Sequence, residues 1–547
     1  MSGRRVRQGI DHQPSGRWPT DDLETGTAYS PSRFDPVARA ASAVIGGPAG
    51  RRLASGTGFW GAAPVLVLLA AAMLSFGVVQ KEHCRAQGWS SPDQFWHACY
   101  SDIPVLYGSS SLGAETRRGL IDSLGQGGLG QPPVSGALMW ITSALVPDST
   151  SDAPRHFFDL SAVLLALVLT VAVAAVALAL GRRSWDAAHL ALSPVLITAG
   201  LISYELLAVA FLAAALLALS RGRPLIGGLL LGLGVASAPQ VAVAGLVVAL
   251  LAGRYLRLGT GAGIGATFAG SALGCWLIIR VLLLPGLTGQ LGTAWKGWVE
   301  AVPGYGSIWL GPQLLGASEP DPANSLGGRT LQLLFSWIFR IGPLSGSTAS
   351  VLSLLLLVIL GAVILQLTLV ADPPGEQPLS EPRFEEVPGS ETDTRILDHR
   401  APYDPTVDST PPAPLGIGRF VTDKVAPLTL ALMAALLFTA KSLPVQASLL
   451  LLPLIALSGL RWRDHLIWAS TELVYFVGIW LYIGGETTAN RGLPALFYLL
   501  MLAARLAGIA WVGVQGVLVF RSPSPALAQA VDKTLADPPA VDRFLSS

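Results

Sequence analysis

Apolar residues in this chain come in long blocks separated by short polar breaks. Many blocks approach the ~20 residues that a helix needs to cross the hydrocarbon of a bilayer. They predict spans near 59–80, 158–180, 186–201, 204–220, 224–238, 240–252, 260–284, 348–371, 420–440, 443–459, 464–484 and 493–519. The pattern predicts an all-α polytopic membrane protein with about 12 transmembrane helices. The segments between 186 and 252 are short, and tilted hairpins that cross only part of the core are the alternative reading for them.

Charge then orients the spans. Arg51-Arg52, Arg182-Arg183, Arg221/Arg223, Arg254/Arg257 and Arg461/Arg463 all fall on one side of this arrangement. Short basic loops mark the cytoplasmic side. A multi-pass protein of the plasma membrane with both termini cytoplasmic is therefore expected. Outer loops 81–157 and 285–347 follow the first and seventh spans. The inner segment 372–418 holds ten acidic residues against three Arg and is rich in Pro, the composition of a solvated linker. It separates a front transmembrane module, 59–371, from a back four-helix module, 419–520. Residues 1–58 read as a disordered cytoplasmic tail and 521–547 as a second tail. The first apolar run starts too far from residue 1 for a secretory signal.

Composition agrees with this class. The chain is 51% hydrophobic and 13% charged, against about 25% charged in soluble domains. A net charge of +1 points away from nucleic acid as a partner. Gly259 to Gly265 mimic part of a dinucleotide fingerprint, but they lie in an apolar span with no strand before them. Small residues at such spacing let membrane helices approach closely, and the same holds for Gly227, Gly228, Gly232 and Gly234. Cys84 and Cys99 share the first outer loop, where an oxidising exterior permits a disulfide, two free thiols being the alternative. Cys275 reads as a small apolar filler within a span.

Candidate chemistry gathers on the outer face. Ionisable groups near membrane-embedded helix ends are costly and invite a functional reading. The candidates are Asp102, Glu115, Arg117, Arg118, Glu205, Lys296, Glu300, Lys441, Glu486 and Arg491. The inner face has no phosphate loop, metal-ligand cluster or nucleophile motif. An outer reaction has no nucleotide supply, so its donor must arrive with the membrane, and a sugar on a polyprenyl phosphate fits. Transfer needs a carboxylate to take the acceptor's proton and cationic groups to steady the departing phosphate. Asp102 with Arg117, Arg118 and Lys441 can supply both. Lys441 also fits a snorkelling interface lysine. Trp295, Trp298 and Trp309 read as interfacial anchors.

The order of motifs carries a resemblance. CYSDIPVLY follows the first span, then come GALMWIT at 136–142, RSWDAAHLALSP at 183–194 and LLAVAFLAAALLALSRGRPLIGGLLLGLG at 206–234. KSLPVQASLLLLPL at 441–454 and RWRDHLIWASTELVYFVGIWLY at 461–482 complete the series. Together they resemble actinobacterial membrane proteins of glycosyltransferase family 87, across roughly residues 40–310 and 420–520. The resemblance implies a GT-C-like fold and polyprenol-phosphate-mannose-dependent mannosyl transfer. It implies that Asp102 is the catalytic base, with Tyr107 beside it, and that Cys84 and Cys99 are a shared pair. Of a Lys-x-x-Ser-Pro-Gln-Tyr motif, Lys441 and Gln446 remain. Arg117, Arg118, Glu205, Lys441 and Gln446 are accordingly the expected substrate contacts beside Tyr107. GT-C enzymes include metal-dependent and metal-independent members, so the resemblance names no metal.

The chain departs from the family pattern in places. Gly130-Gln131-Pro132 stands where relatives carry Glu-Tyr-Pro, and Ser203-Tyr204-Glu205 replaces an Asn-aromatic-Asp. Ala238-Pro239-Gln240-Val241 replaces a Lys-Leu-Tyr-Pro turn. The expected function is sugar transfer, of mannose or a related sugar, from a polyprenyl-phosphate donor to an envelope glycolipid or glycan. A catalytically degenerate scaffold in envelope assembly is the alternative, and a lipid-linked sugar translocator is a third reading.

Overall fold

The computed structural model describes residues 61–109, 112–113, 119–124, 129–147, 152–256, 260–284, 287–311, 314, 344–370, 416–488 and 491–522. Arg117, Arg118, Glu115, the two tails and nearly all of the acidic segment lie outside them. Helices dominate, and no strand occurs among the described residues. Hydrocarbon offers backbone groups no water to bond, so a crossing segment must satisfy them internally.

The first span is α1 (Ala62–Gln80). Three short helices follow it: α2 (Glu82–Gln87), α3 (Asp93–Trp96) and α4 (Asp102–Ser109). Next come α5 (Leu120–Leu124), α6 (Pro133–Ala144) and the long α7 (Ala153–Leu180). Then α8 (Ala188–Ala191) and α9 (Val195–Ala199) precede α10 (Glu205–Ser220), α11 (Pro224–Ser237), α12 (Ala242–Tyr255) and α13 (Thr260–Leu283). Beyond α14 (Leu287–Glu300) and α15 (Gly346–Leu365) lie α16 (Ile417–Thr439), α17 (Leu451–Ser458), α18 (Trp462–Thr487) and α19 (Ala495–Arg521).

Among the described residues, seven helices are long and apolar enough to cross a membrane: α1, α7, α13, α15 with its extension to Val370, α16, α18 and α19. Shorter apolar helices occupy Glu205–Ser220, Pro224–Ser237, Pro239–Tyr255 and Val445–Ser458. The span expected at 186–201 is corrected. The segment breaks into α8 and α9, because Pro194 lacks the N–H that a continuous helix needs. At 28 residues, α7 is ~42 Å long, more than the ~30 Å hydrocarbon thickness. Its first turns therefore emerge, and Asp159 meets Arg85 of the outer loop at 2.6 Å.

The bundle has two distinct ends. At one, the 81–100 loop, the turn at 200–204 and the 440–446 segment converge, with Asp102 N–H donating to the Ile202 carbonyl at 2.9 Å. At the other, Arg221 donates to the Leu178 carbonyl at 3.1 Å and Arg183 closes over Gly459. Helix α16 is the most enclosed of the long helices. Leu68, Phe76, Val163, Leu167, Val358 and Leu518 face outward, where lipid replaces water.

Glycines set the closest helix approach. Gly228 of α11 faces the backbone of Phe268 and the hydroxyl of Ser271 on α13, and Gly232 faces Ala272 and Cys275. Helix α13 also packs Gly261 and Gly265 onto Ala252 of α12. The glycine run is thus a packing surface within a helix, as lipid-embedded bundles favour. Gly270 lies on an open face of α13, with nothing within 4 Å of a built Cβ. Gly228→Leu is expected to lower the thermal midpoint of the detergent-purified protein, overpacking costing about 1–3 kcal/mol. Gly270→Leu, on the same helix pair but facing outward, should leave the midpoint unchanged.

Candidate active site

The 81–100 loop is tied at many points. Cys84 and Cys99 form a disulfide. The Arg85 guanidinium grips both oxygens of Asp159, at 2.6 and 2.9 Å. Gln80 donates to the Ala98 carbonyl at 2.6 Å, holding Ala98 at φ 50°, where its Cβ costs about 1–2 kcal/mol. Lys81, fully buried at the end of α1, donates to the Tyr100 carbonyl at 2.9 Å. Burial lowers the Lys81 ammonium to about 7, against the pull of Asp102.

These ties deliver Asp102 to the start of α4. Its backbone N–H is fixed on Ile202, and Ser101 Oγ donates to the Leu201 carbonyl at 2.7 Å. The half-buried carboxylate has different partners on its two oxygens. Tyr100 donates its hydroxyl to Oδ1 at 2.7 Å and Gln446 donates Nε2 to Oδ2 at 3.3 Å. Burial raises the carboxyl above its ordinary range, opposed by Tyr100, by the charge of Lys81 and by Gln446. The Tyr100 ring stacks with Phe95 at 5.6 Å and meets Trp480 at 4.7 Å, an aromatic wall beside the carboxylate. Burial, with the charge of Asp102 and this bond, raises the Tyr100 hydroxyl, so it stays a donor.

The other expected residues fall in different places. Gln446 joins Asp102 although 344 positions separate them. Glu205 is half-buried at the start of α10, three positions past the carbonyl that anchors Asp102. Tyr107 is buried and stacks on Phe157 at 4.9 Å. The Lys441 ammonium is enclosed by oxygens of the fold: the Trp298, Val299 and Gly346 carbonyls at 2.6, 3.3 and 3.1 Å and Ser350 Oγ at 2.8 Å. Its three protons are thereby committed to joining α14 to α15, and burial lowers its affinity for a proton.

Residues 304–309 pack on the 440–446 segment. Gly304 N–H donates to the Lys441 carbonyl and Leu443 N–H to the Tyr305 carbonyl, at 2.8 and 3.1 Å. Gly306 sits at φ 78° with the Leu443 carbonyl where a Cβ would stand, a position only glycine fills. Ser307 and the Trp309 indole donate to the Ala440 and Thr439 carbonyls, both at 2.9 Å. The Trp309 indole is therefore a structural donor, whereas Trp295 of α14 is exposed.

Arg505 is the residue that sequence reasoning passed over. It is 0% exposed within α19, and Nε donates to Glu472 of α18 at 2.9 Å. Its remaining nitrogens donate to the Leu443 and Pro444 carbonyls, at 2.7 and 3.0 Å, and to Ser448 Oγ at 3.0 Å. These bonds bracket Gln446. The signal was a lone charged residue in a long apolar run, which membrane helices rarely tolerate without a partner. Arg505→Met is expected to cost about 3–5 kcal/mol, because it strands a buried carboxylate. Adding Glu472→Met should return much of that loss, read as thermal midpoints of the purified single and double variants.

Comparison with known sequences finds a family likeness over part of the chain. A model of glycosyltransferase family 87 matches residues 131–380. The matched stretch runs from α6 through α15 and holds Glu205, while Asp102, Gln446 and Arg505 lie on either side of it. No curated protein and no solved structure matches the chain. With seven apolar helices of spanning length among the described residues, the chain is a polytopic membrane protein, and its residues 131–380 match the model of glycosyltransferase family 87.

Proposed function

We propose that the protein transfers a sugar, mannose being the expected one, from a polyprenyl-phosphate donor to an envelope glycolipid or glycan. The reaction is assigned to the extracytoplasmic face of the plasma membrane. The observation that carries this reading is the Asp102 carboxylate, partly desolvated and held by Tyr100 and Gln446 at one end of the bundle. A carboxylate with a raised pKa is a stronger base for an acceptor hydroxyl. The disulfide at the same end supports an oxidising compartment there. The Arg183 and Arg221 end is then cytoplasmic.

The step balances simply. Asp102 takes the proton of the acceptor hydroxyl, whose oxygen forms a bond to the sugar's anomeric carbon. The bond from that carbon to the phosphate oxygen breaks, and polyprenyl phosphate leaves with the electron pair. Arg117 and Arg118, 15 and 16 residues beyond Asp102 in the sequence, are assigned to the departing phosphate. Arg491, exposed with its guanidinium 4.6 Å over the Trp96 ring, is a further cation at this end. Glu205 is assigned to a sugar or acceptor hydroxyl, and Tyr107 shapes the wall behind α4. Lys441 serves the same reaction from a distance, fixing the segment that presents Gln446.

The test is transfer of radiolabelled mannose from polyprenyl-phosphate-mannose in membranes, across a panel of envelope-lipid acceptors. Native protein should label an acceptor and Asp102→Asn should not, with both proteins folded. Absence of transfer by either would favour the degenerate scaffold. Activity should rise with pH as Asp102 loses its proton, through a midpoint above the ordinary carboxylate range. Tyr100→Phe removes a bond that favours the charged form. The acid limb should therefore move to still higher pH, measured as the pH profile of the transfer rate.

A further inference from the structure

We propose that His83, Asp93 and His97 form a binding site for a divalent transition metal of the zinc class on the first outer loop. The site stands apart from Asp102 and does not depend on the assigned transferase activity. His83 lies in α2, Asp93 opens α3, and His97 ends α3 one turn later. Nothing in their spacing marks a metal motif, and sequence reasoning named no metal set. The fold gathers them: one ligand atom from each lies within 4.8 Å of the others. Among the described residues no second group of three such side chains is found.

The local geometry is already close to a ligand shell. His83 Nε2 stands 2.7 Å from Asp93 Oδ2, and His97 Nδ1 stands 3.2 Å from Asp93 Oδ1. The two imidazole rings stack with centroids 3.5 Å apart and planes 19° apart. Both nitrogens therefore face the same carboxylate from the same side. Bonds of about 2.0–2.1 Å to imidazole nitrogen and carboxylate oxygen need only a small opening of this cluster. The three side chains are 35–47% exposed, so an ion has access from solution.

The donor set selects the metal. Two neutral imidazoles and one carboxylate suit zinc, copper, nickel or iron, whereas magnesium and calcium prefer oxygen shells. Three protein ligands leave further positions for water. The scaffold is also prepared in advance. His83 neighbours Cys84 and His97 lies two residues before Cys99, so the disulfide pins both histidines. Arg85 pins the same helix to Asp159. A bound ion would add a second clip to the loop. The clip would bear on Phe95, which lies between Asp93 and His97 and stacks on Tyr100.

The test uses full-length, detergent-purified protein without a polyhistidine tag, stripped with chelator and then freed of it. Zinc chloride is titrated by calorimetry, and metal content is measured after gel filtration. One zinc per chain is expected, with no competition from magnesium. His83→Gln, Asp93→Asn and His97→Gln should each weaken binding by more than about tenfold, and Cys275→Ser should not. Failure of the native protein to retain zinc, or binding unchanged in all three variants, would overturn the proposal. Should a variant not fold, cobalt(II) titrated into the native protein decides. Ligand-field bands of a nitrogen and oxygen shell, without thiolate charge transfer, support the site. A spectrum that stays that of the aquo ion refutes it.

Discussion

Arg505 is the constraint from which the site is built. A guanidinium with no exposure pays a desolvation penalty of several kcal/mol, and this one offsets it with a carboxylate, two carbonyls and a hydroxyl. Its planar fork is suited to such an arrangement, because five donors leave it in fixed directions. The pair with Glu472 joins α18 to α19, while the two carbonyl bonds hold the segment entering α17. Gln446 is two residues past Pro444, so its reach to Asp102 follows from where Arg505 sets the chain. The carboxylate and its amide donor stand 344 positions apart in the chain. A buried cation at 0% exposure thus sets the 443–448 segment against α18 and α19.

The same logic applies at Lys441 and Lys81. Each is a lysine at a helix end near the membrane boundary, and each turns inward onto carbonyl oxygens. Helix ends leave carbonyls without partners, and an ammonium is a compact way of satisfying several at once. In Lys81 the charge also lies near Asp102 and opposes the effect of burial on the carboxyl. The basicity of Asp102 is therefore a balance. Burial raises it, and two hydrogen bonds and one cation restrain it.

Much of this was readable from the sequence, for reasons that differ by residue. Hydropathy located the long helices because lipid demands a continuous apolar surface of known length. It misread 186–201, since a window average is blind to Pro194, and two short buried helices are as apolar as one span. Asp102, Gln446 and the Cys84–Cys99 pair were visible as motifs in order. The carbonyl cage around Lys441 was invisible, because it is made of backbone from segments 95 and 143 residues away. His83, Asp93 and His97 escaped for a related reason: spacings of 10 and 4 match no motif, and only the folded loop makes them neighbours.

Helices in lipid gain little from hydrophobic burial against one another, since the tails they leave are as apolar as the side chains they meet. Position must then come from close packing and polar ties. In the middle of the bundle the first of these suffices, and Gly228 against Phe268 is its limit. The end that carries Asp102 relies on the second. There the loop is fixed by covalent and charged devices more familiar from secreted domains: a disulfide, the Arg85–Asp159 pair and the stacked histidines around Asp93. Asp102 is placed where the two regimes meet. Its backbone hangs from Ile202 in the packed interior, and its carboxylate is oriented by Tyr100 from the stapled loop. Neither regime alone would hold a carboxylate that is at once partly desolvated and partly exposed.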